Sequence, residues 1–456
     1  MKLIPLATIK LFILVTTSFL LPRIYSQDDL RWIRGINYVP STSHNDVATW
    51  QDYNHTLVTE ELGYASSIGF NTIRIFLSTL PWLYNKSAFI NNLEHFIQTL
   101  EFFNLTSQLV IFDSCFGNIT ANITWITSGE YKNFSWIPNP GPAIISNKLL
   151  WSIYDEYLSD VINCIGTSKA VLLYDLHNEP DFSIPSMIDF ISYTATKIKE
   201  LDTQGRLFTV GIANSNQQIF VKDIVTVLSF HNYNGGEYGL NLATDIANQR
   251  ALATSLNKPL LLTETMSRPN DLLSSVLPAV YGCFNKTAQV ESSIGWFLWE
   301  LMLGVDQFNN NWQTPYQGLI YPSWSQNTGG QFRYQDEESI LSSYLTSNIN
   351  SPPCPSSNSS FIPDTSSFWS YSPFNLWTAW SGIGPPYGTL HYANEGGAVA
   401  TLSPPVTSNR ITSMILVYKR GPDCGYFSIS INGEINITNF DSYDINVNWQ
   451  AEYTIF

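Results

Sequence analysis

The sequence predicts an α/β fold: a (β/α)8 TIM barrel followed by a small all-β, sandwich-like C-terminal domain. Three observations predict it. Short apolar runs of strand length recur eight times between Ile33 and Trp299. Longer segments of helical period separate most of them. After Ser351 the chain turns rich in Pro and Ser, and then carries strand-like runs without a convincing helix.

The strands read in order as Ile33–Tyr38, Asn71–Leu77, Gln108–Phe112 and Ala170–Leu176, then Leu207–Ile212, Val225–Phe230, Pro259–Thr263 and Ile294–Trp299. Runs this apolar suit strands buried on both faces of a parallel sheet. Helical period appears over Leu57–Ile68, Ala88–Phe103, Leu149–Ile165, Ile184–Leu201, Leu240–Leu256 and Leu272–Gly282, and only weakly before the sixth strand. Strands joined by such crossovers predict the barrel. An open doubly wound sheet is the alternative, but the first strand is not followed by a glycine-rich phosphate turn. The segment Gly117–Pro142 is a long third loop holding Trp125, Tyr131 and Trp136. Its aromatics suit either a wall of a binding cleft or the loop's own small core.

The barrel is expected over residues 27–350 and a linker over 351–364, containing Ser351-Pro352-Pro353-Cys354-Pro355. Residues 365–456 then form the β domain, with strands at Ala398–Leu402, Ile411–Tyr418, Tyr426–Ile431 and Gln450–Phe456.

Composition narrows the function. The 456 residues suffice for a large barrel and a smaller domain. A formal net charge of −15 disfavours nucleic acid and anionic membranes as partners. Aromatic residues make up 14% of the chain, and Trp and Tyr faces suit sugar rings as well as ordinary cores. Lys2 and Lys10 precede an apolar run from Leu11 to Leu21. That run is too short to span a bilayer and reads as a secretory signal over residues 1–26, with a membrane anchor as the alternative. Nine Asn-x-Ser/Thr sequons, at Asn54, Asn85, Asn104, Asn118, Asn122, Asn133, Asn285, Asn358 and Asn436, agree with an exported glycoprotein. Five cysteines are too few for a disulfide scaffold. Cys354 and Cys424 are candidates to pair, whereas Cys164 and Cys283 precede strands on opposite sides of the barrel. No Cys-x-x-Cys or His-x-x-x-His spacing suggests a metal.

The chemistry concentrates at strand ends. The fourth strand stops at Asn178-Glu179-Pro180 and the seventh at Glu264. The carboxyl ends of barrel strands are where active sites form. Two carboxyl groups facing one another there suit glycoside cleavage with retention, one protonating the leaving oxygen and the other attacking the anomeric carbon. A lone Glu at a strand end more often orders a loop. The Asn178 amide is placed to bind a sugar 2-hydroxyl. His231 and Tyr233 end the sixth strand, Tyr233 as a candidate to orient Glu264 and His231 as a partner for the acid or the substrate, or else a satisfied inner-barrel histidine. Arg74 lies inside an apolar strand and needs a carboxylate partner, for which Glu264 is the candidate; a purely structural ion pair is the alternative. Trp299 is a candidate floor for a sugar subsite, and Trp296, three positions earlier, falls on the opposite face.

In these residues the chain resembles the retaining glycosidases with (β/α)8 barrels, and especially the family 5 cellulase-like hydrolases, over about residues 30–345. The resemblance implies that Glu179 is the acid–base and Glu264 the nucleophile, and that Arg74, His231 with Tyr233, and Trp299 are counterparts of the family's other site residues. It implies a polysaccharide or oligosaccharide substrate and no metal or organic cofactor. The chain departs from the pattern in Val110-Ile111-Phe112-Asp113-Ser114-Cys115, which lacks the family's histidine near the end of strand three. Asp113 or Cys115 is expected to line that part of the pocket. An inactive, carbohydrate-binding barrel is the competing reading, and transfer to a sugar acceptor by the same two glutamates is a third.

Overall fold

The computed structural model describes residues 30–115, 119–233, 242–265, 294–305, 318–326, 328–333 and 337–346, and the backbone of strands between 369 and 454. The expected leader, the helix Leu272–Gly282, the linker and the cysteine pair Cys354/Cys424 lie outside the described residues.

The barrel strands are β1 (Arg34–Asn37), β2 (Thr72–Phe76), β3 (Thr106–Val110), β4 (Val171–Asp175), β5 (Leu207–Thr209), β6 (Gly211–Ile212), β7 (Leu228–Asn232), β8 (Leu260–Thr265) and β9 (Gly295–Leu298). They lie in the order β5-β4-β3-β2-β1-β9-β8-β7-β6, and every neighbouring pair is parallel. β5 and β6 are two halves of the expected fifth strand, one pairing with β4 and the other with β7, so the ring closes through Val210. The ladder is interrupted because the Gly211 amide donates to the Asp175 side chain at 2.9 Å instead of to a neighbouring backbone. The fold is a (β/α)8 barrel.

Helices follow the expected periods, with boundaries shifted by capping. His55–Ile68 and Lys86–Phe102 begin two residues early because Asn54 and Asn85 accept hydrogen bonds from the Leu57 and Ala88 amides. Both caps are sequon asparagines. The expected helix from Leu149 starts regularly only at Ile153, after a short 3-10 turn. The sixth strand begins at Leu228 rather than Val225, because Thr226 and Val227 both donate to the Phe208 carbonyl and Thr226 Oγ1 takes the Phe208 amide.

Three apolar zones result. A large cluster between sheet and helices includes Trp50, Trp82, Phe96, Tyr157 and Trp296. Trp50 also donates its indole N–H to the Phe76 carbonyl at 2.7 Å, so its burial leaves no polar atom stranded. Each such side chain contributes roughly 1.5–3 kcal/mol by leaving water. Inside the barrel, Leu30, Ile33, Leu173, Val227, Leu261 and Phe297 plug the amino end. A third cluster of Val39, Phe76, Val110, Trp136 and Trp299 lies against Cys115 and Tyr233 at the other end. Between plug and mouth the interior is polar, and the candidate site sits there. Trp296 and Trp299 fall in the outer and mouth clusters, on opposite faces as their spacing requires.

The long third loop divides its aromatics. Tyr131, with Trp125 and Phe134 stacked at 4.4 Å, builds a small core with Val47, Ala48, Leu80, Ile126 and Ile137. Trp136 instead joins the mouth cluster.

Beyond residue 368 the described strands form four antiparallel pairs: Trp369–Ser372 with Val399–Leu402, Trp377–Ser381 with Thr389–Ala393, Ile415–Arg420 with Asn448–Thr454, and Tyr426–Ile431 with Glu434–Asp441. This is all-β pairing, in keeping with the expected strand content. It does not by itself make the expected sandwich.

Candidate active site

Arg74 organises the site. It is fully buried on β2, and its guanidinium forks between four acceptors. Nη1 donates to Asn37 Oδ1 at 2.9 Å and to Glu264 Oε1 at 2.6 Å. Nη2 donates to Asp175 Oδ2 at 2.8 Å and to Asn178 Oδ1 at 2.6 Å. Burial alone would lower its pKa, but the charges of Glu264 and Asp175 outweigh that and hold the guanidinium firmly protonated. One planar cation thus fixes four side chains, from β1, from β8 and from β4 and its end, a task suited to the arginine fork.

Glu264 is aimed by an irregularity in β8. Leu261 belongs to the interior plug, so a regular alternation would turn Glu264 toward the helices. Instead Leu262 pairs with Phe230 and Glu264 with His231, leaving Thr263 as an extra residue. The same shift appears against β9. This bulge lets Glu264 face the interior. The Asn37 amide takes up the Thr263 carbonyl at 3.0 Å. Tyr233 donates its hydroxyl to Glu264 Oε2 at 2.5 Å. Burial and the charge of Glu264 push the Tyr233 pKa well up, so it remains a donor.

Glu179 is aimed by a different irregularity. Asn178 and Glu179 are adjacent, and neighbours on an extended strand face opposite ways. Glu179 has a left-handed backbone, φ 43°, which brings its carboxyl to the mouth beside Asn178. A non-glycine residue held there costs on the order of 1–3 kcal/mol and persists only where its surroundings fix it. Its N–H donates to the Gly211 carbonyl at 2.7 Å, and Glu179 Oε1 meets His231 Nδ1 at 2.7 Å.

Asp113 continues the line of β3. Its backbone bridges Asn178, and its carboxyl accepts from Trp136 Nε1 at 2.7 Å, from the Cys115 amide at 2.8 Å and from Asn178 Nδ2 at 3.2 Å. Burial raises its pKa to about 7 despite these bonds, with the charge of Glu179 adding to the rise. Trp136 and Trp299 flank Phe76 edge-on, at ring separations of 5.1 and 5.9 Å.

The structure therefore brings together every candidate residue read from the sequence: Glu179, Glu264, Arg74, Asn178, His231, Tyr233, Trp299 and Asp113. Sequence reasoning missed Asp175, whose signal was a carboxyl inside the apolar run of β4. It missed Gly211 entirely. A Cβ there would lie 2.8 Å from Asp175 Oδ2, 2.9 Å from Asn178 Oδ1 and 3.0 Å from Arg74 Nη2.

A carboxylate oxygen of Glu179, one of Glu264 and a ring nitrogen of His231 all lie within 4.8 Å of one another. A divalent cation could bridge such a trio, but here both Glu264 oxygens already serve Arg74 and Tyr233, and the guanidinium would repel a metal. Burial pushes the Glu179 pKa up, whereas His231, Cys115 and Arg74 pull it down, and the net direction is down. For His231 burial pulls down, Glu264 and Glu179 push up, and the net direction is up. The short hydrogen bond between His231 and Glu179 thus works against a protonated Glu179, whereas an acid–base glutamate calls for a raised pKa of its own.

No protein-family model matches the sequence, and no curated protein matches it. Solved structures do match. An exo-beta-1,4-mannosidase from Opitutaceae bacterium strain TAV5 aligns over 68% of this chain at 16% identity, with a TM-score of 0.53. The chain spans 58% of that protein's length. GH5_18 from Streptomyces cattleya, solved in complex with GlcNAc, aligns over 70% of this chain and 82% of its own at 14% identity, with a TM-score of 0.50. The likeness is one of fold.

Proposed function

We propose that this chain is a retaining glycoside hydrolase of the family 5 type, cleaving O-glycosidic bonds of an oligosaccharide or polysaccharide. The observation that carries the reading is the approach of the Glu179 and Glu264 carboxylates to within 4.8 Å. Retaining enzymes use carboxyl groups about 5–5.5 Å apart, whereas inverting enzymes leave about 6.5–9.5 Å for a water molecule.

Glu264, ion-paired to Arg74, attacks the anomeric carbon as the glycosidic C–O bond breaks. Glu179 gives the leaving oxygen its proton, which the His231–Glu179 pair supplies. A glycosyl ester of Glu264 forms. Glu179, now a carboxylate, takes a proton from water, whose oxygen attacks the same carbon and releases Glu264. Asn178 offers its amide to the sugar 2-hydroxyl, and Trp299 offers a face to the ring. A sugar acceptor replacing water would give transglycosylation at the same two glutamates. Export, supported by Lys2, Lys10 and the apolar run Leu11–Leu21, places the enzyme outside the cell, where its sequons would carry glycans.

The test is a panel of aryl glycosides and polysaccharides, beginning with β-mannosides because one fold neighbour is a mannosidase. Glu179→Gln and Glu264→Gln are each expected to lose most activity on a confirmed substrate, and full activity in either defeats its assigned role. A fluorosugar separates the second reading, an inactive carbohydrate-binding barrel, which the missing strand-three histidine permits. Covalent label on Glu264 supports the enzyme; sugar binding without label or turnover supports the binder.

A further inference from the structure

An asparagine amide has nearly the same shape either way round, so its neighbours decide which end is oxygen and which is nitrogen. At Asn178 two charged groups decide it. Arg74 Nη2 can only donate, and it stands 2.6 Å from Asn178 Oδ1. A carboxylate can only accept, and Asp113 Oδ1 stands 3.2 Å from Asn178 Nδ2. A cation and an anion thus hold the two ends of one amide. All three side chains are buried, so water competes with neither bond. The amide nitrogen carries two hydrogens; Asp113 takes one and thereby orients the other.

The same carboxyl reaches the third loop. Its Oδ2 accepts from Trp136 Nε1 at 2.7 Å, and its Oδ1 accepts from the Cys115 amide at 2.8 Å. The backbones of Asp113 and Asn139 exchange hydrogen bonds of 2.7 and 2.8 Å, and the Ser114 amide donates to the Asn178 carbonyl at 3.0 Å. Asp113 therefore stands between the end of the long loop and the turn that carries Asn178 and Glu179. Its three side-chain partners all donate. That set suits the carboxylate and works against the burial that raises its pKa to about 7.

We propose that Asp113 is a positioning residue that sets specificity: holding Asn178 on one oxygen and Trp136 on the other, it turns the second amide N–H of Asn178 toward the hydroxyl next to the anomeric carbon. The role rests on the glycosidase reading; the contacts do not. Without Asp113 the amide keeps a single anchor at Arg74 and swings about it. Recognition of that hydroxyl is also tied to the third loop, because Trp136 and Asn178 share one carboxyl group.

The first test compares aryl glycosides with and without the 2-hydroxyl: p-nitrophenyl β-mannoside and its 2-deoxy counterpart, or the equivalent pair for whichever glycoside the protein cleaves. The quantity read is the ratio of kcat/KM within the pair. Asp113→Ala should lower that ratio about tenfold, the equivalent of one ordinary hydrogen bond in the transition state. Asp113→Asn keeps an acceptor for Asn178 but sets its own amide hydrogens against the Trp136 N–H, so it should lose Tm and keep most of the ratio. In an Asn178→Ala background, Asp113→Ala should leave the ratio where Asn178→Ala put it. A carboxyl that merely braces the loop would slow both members of the pair alike, and an unchanged ratio in Asp113→Ala overturns the proposal.

The second test needs no turnover. Asn178→Asp sets two carboxyl groups against each other across the 3.2 Å contact, so Tm should fall, and fall further as pH rises. Adding Asp113→Asn again places a donor opposite an acceptor. The double variant should therefore melt above Asn178→Asp, although Asp113→Asn alone lowers Tm. If Asn178→Asp does not fold, return of a cooperative melt in the double variant is the same result. Losses that add, or a double variant that also fails to fold, refute the contact even in an active glycosidase. Recovery in a protein that cleaves no glycoside upholds the contact and refutes the glycosidase reading instead.

Discussion

Gly211→Ala adds one methyl group at the most crowded point of the site. The new Cβ would stand 2.8, 2.9 and 3.0 Å from Asp175 Oδ2, Asn178 Oδ1 and Arg74 Nη2. None of these atoms is the loose end of a flexible chain. Asp175 Oδ1 already takes the Gly211 amide, and both Arg74 nitrogens are committed to four acceptors. The methyl must therefore displace Arg74 or Asn178 by several tenths of an ångström, or bend the strand. Overpacking of this kind costs about 1–3 kcal/mol, which is roughly 2–4 °C of Tm per kcal/mol for domains approaching this size. The loss in activity should be larger in proportion. A displaced Arg74 carries Glu264 with it, and misplacement of a reacting group by about 1 Å costs on the order of a hundredfold in rate. Calorimetry and initial rates on a confirmed substrate read both quantities. A variant with wild-type Tm and wild-type kcat would mean that the Arg74 cluster is loosely packed, and the account of how Glu264 is aimed would fail with it.

Two further outcomes follow from the same contacts. Arg74→Lys keeps the charge but not the fork: a single ammonium reaches the Asn37–Glu264 pair or the Asp175–Asn178 pair, not both, so Tm should fall by several degrees and kcat by about a hundredfold or more, and an unchanged kcat would remove Arg74 from the site's function. Asp46 and Asp113 are fully buried, and burial with mutual repulsion raises Asp46 from 3.8 to about 8. A raised carboxyl binds more protons folded than unfolded, so the contribution of Asp46 to stability is fully present below about pH 4, is lost as the pH rises to about 8 and levels off beyond. Asp46→Asn keeps an acceptor for the Ile137 amide and removes that ionisation, so its Tm should match wild type near pH 4 and exceed it near pH 8; parallel curves would show that Asp46 does not titrate in this window.

Much of this architecture was legible in the sequence because polar groups interrupt apolar strands only where something holds them. Arg74 inside β2, and Glu179 and Glu264 at strand ends, stood out for that reason, and the eight strand positions followed from their apolar runs. Asp175 carried the same signal but read as part of the strand. What the sequence could not reveal is backbone geometry. The extra Thr263 in β8 and the left-handed Glu179 decide which way the two acids face, and neither leaves a mark in residue type. Gly211 looked like an ordinary strand residue, since its value lies in what approaches it. The third loop fitted two readings because its aromatics serve both: Trp125 and Tyr131 hold the loop together, and Trp136 reaches the mouth through Asp113.

The spare carbonyl of Thr263 and the carboxylate of Glu264 are joined by a circuit that closes on itself. The carbonyl accepts from Asn37, Asn37 accepts from Arg74, and Arg74 donates to Glu264, the next residue along. β8 is thus tied back to itself through side chains of β1 and β2. Any slip of β8 along those strands would stretch the same bonds that orient its acid. Strand alignment and acid orientation are in consequence a single mechanical variable, and breathing of the barrel at these strands would be felt at the reacting atoms before it disturbed the helices outside.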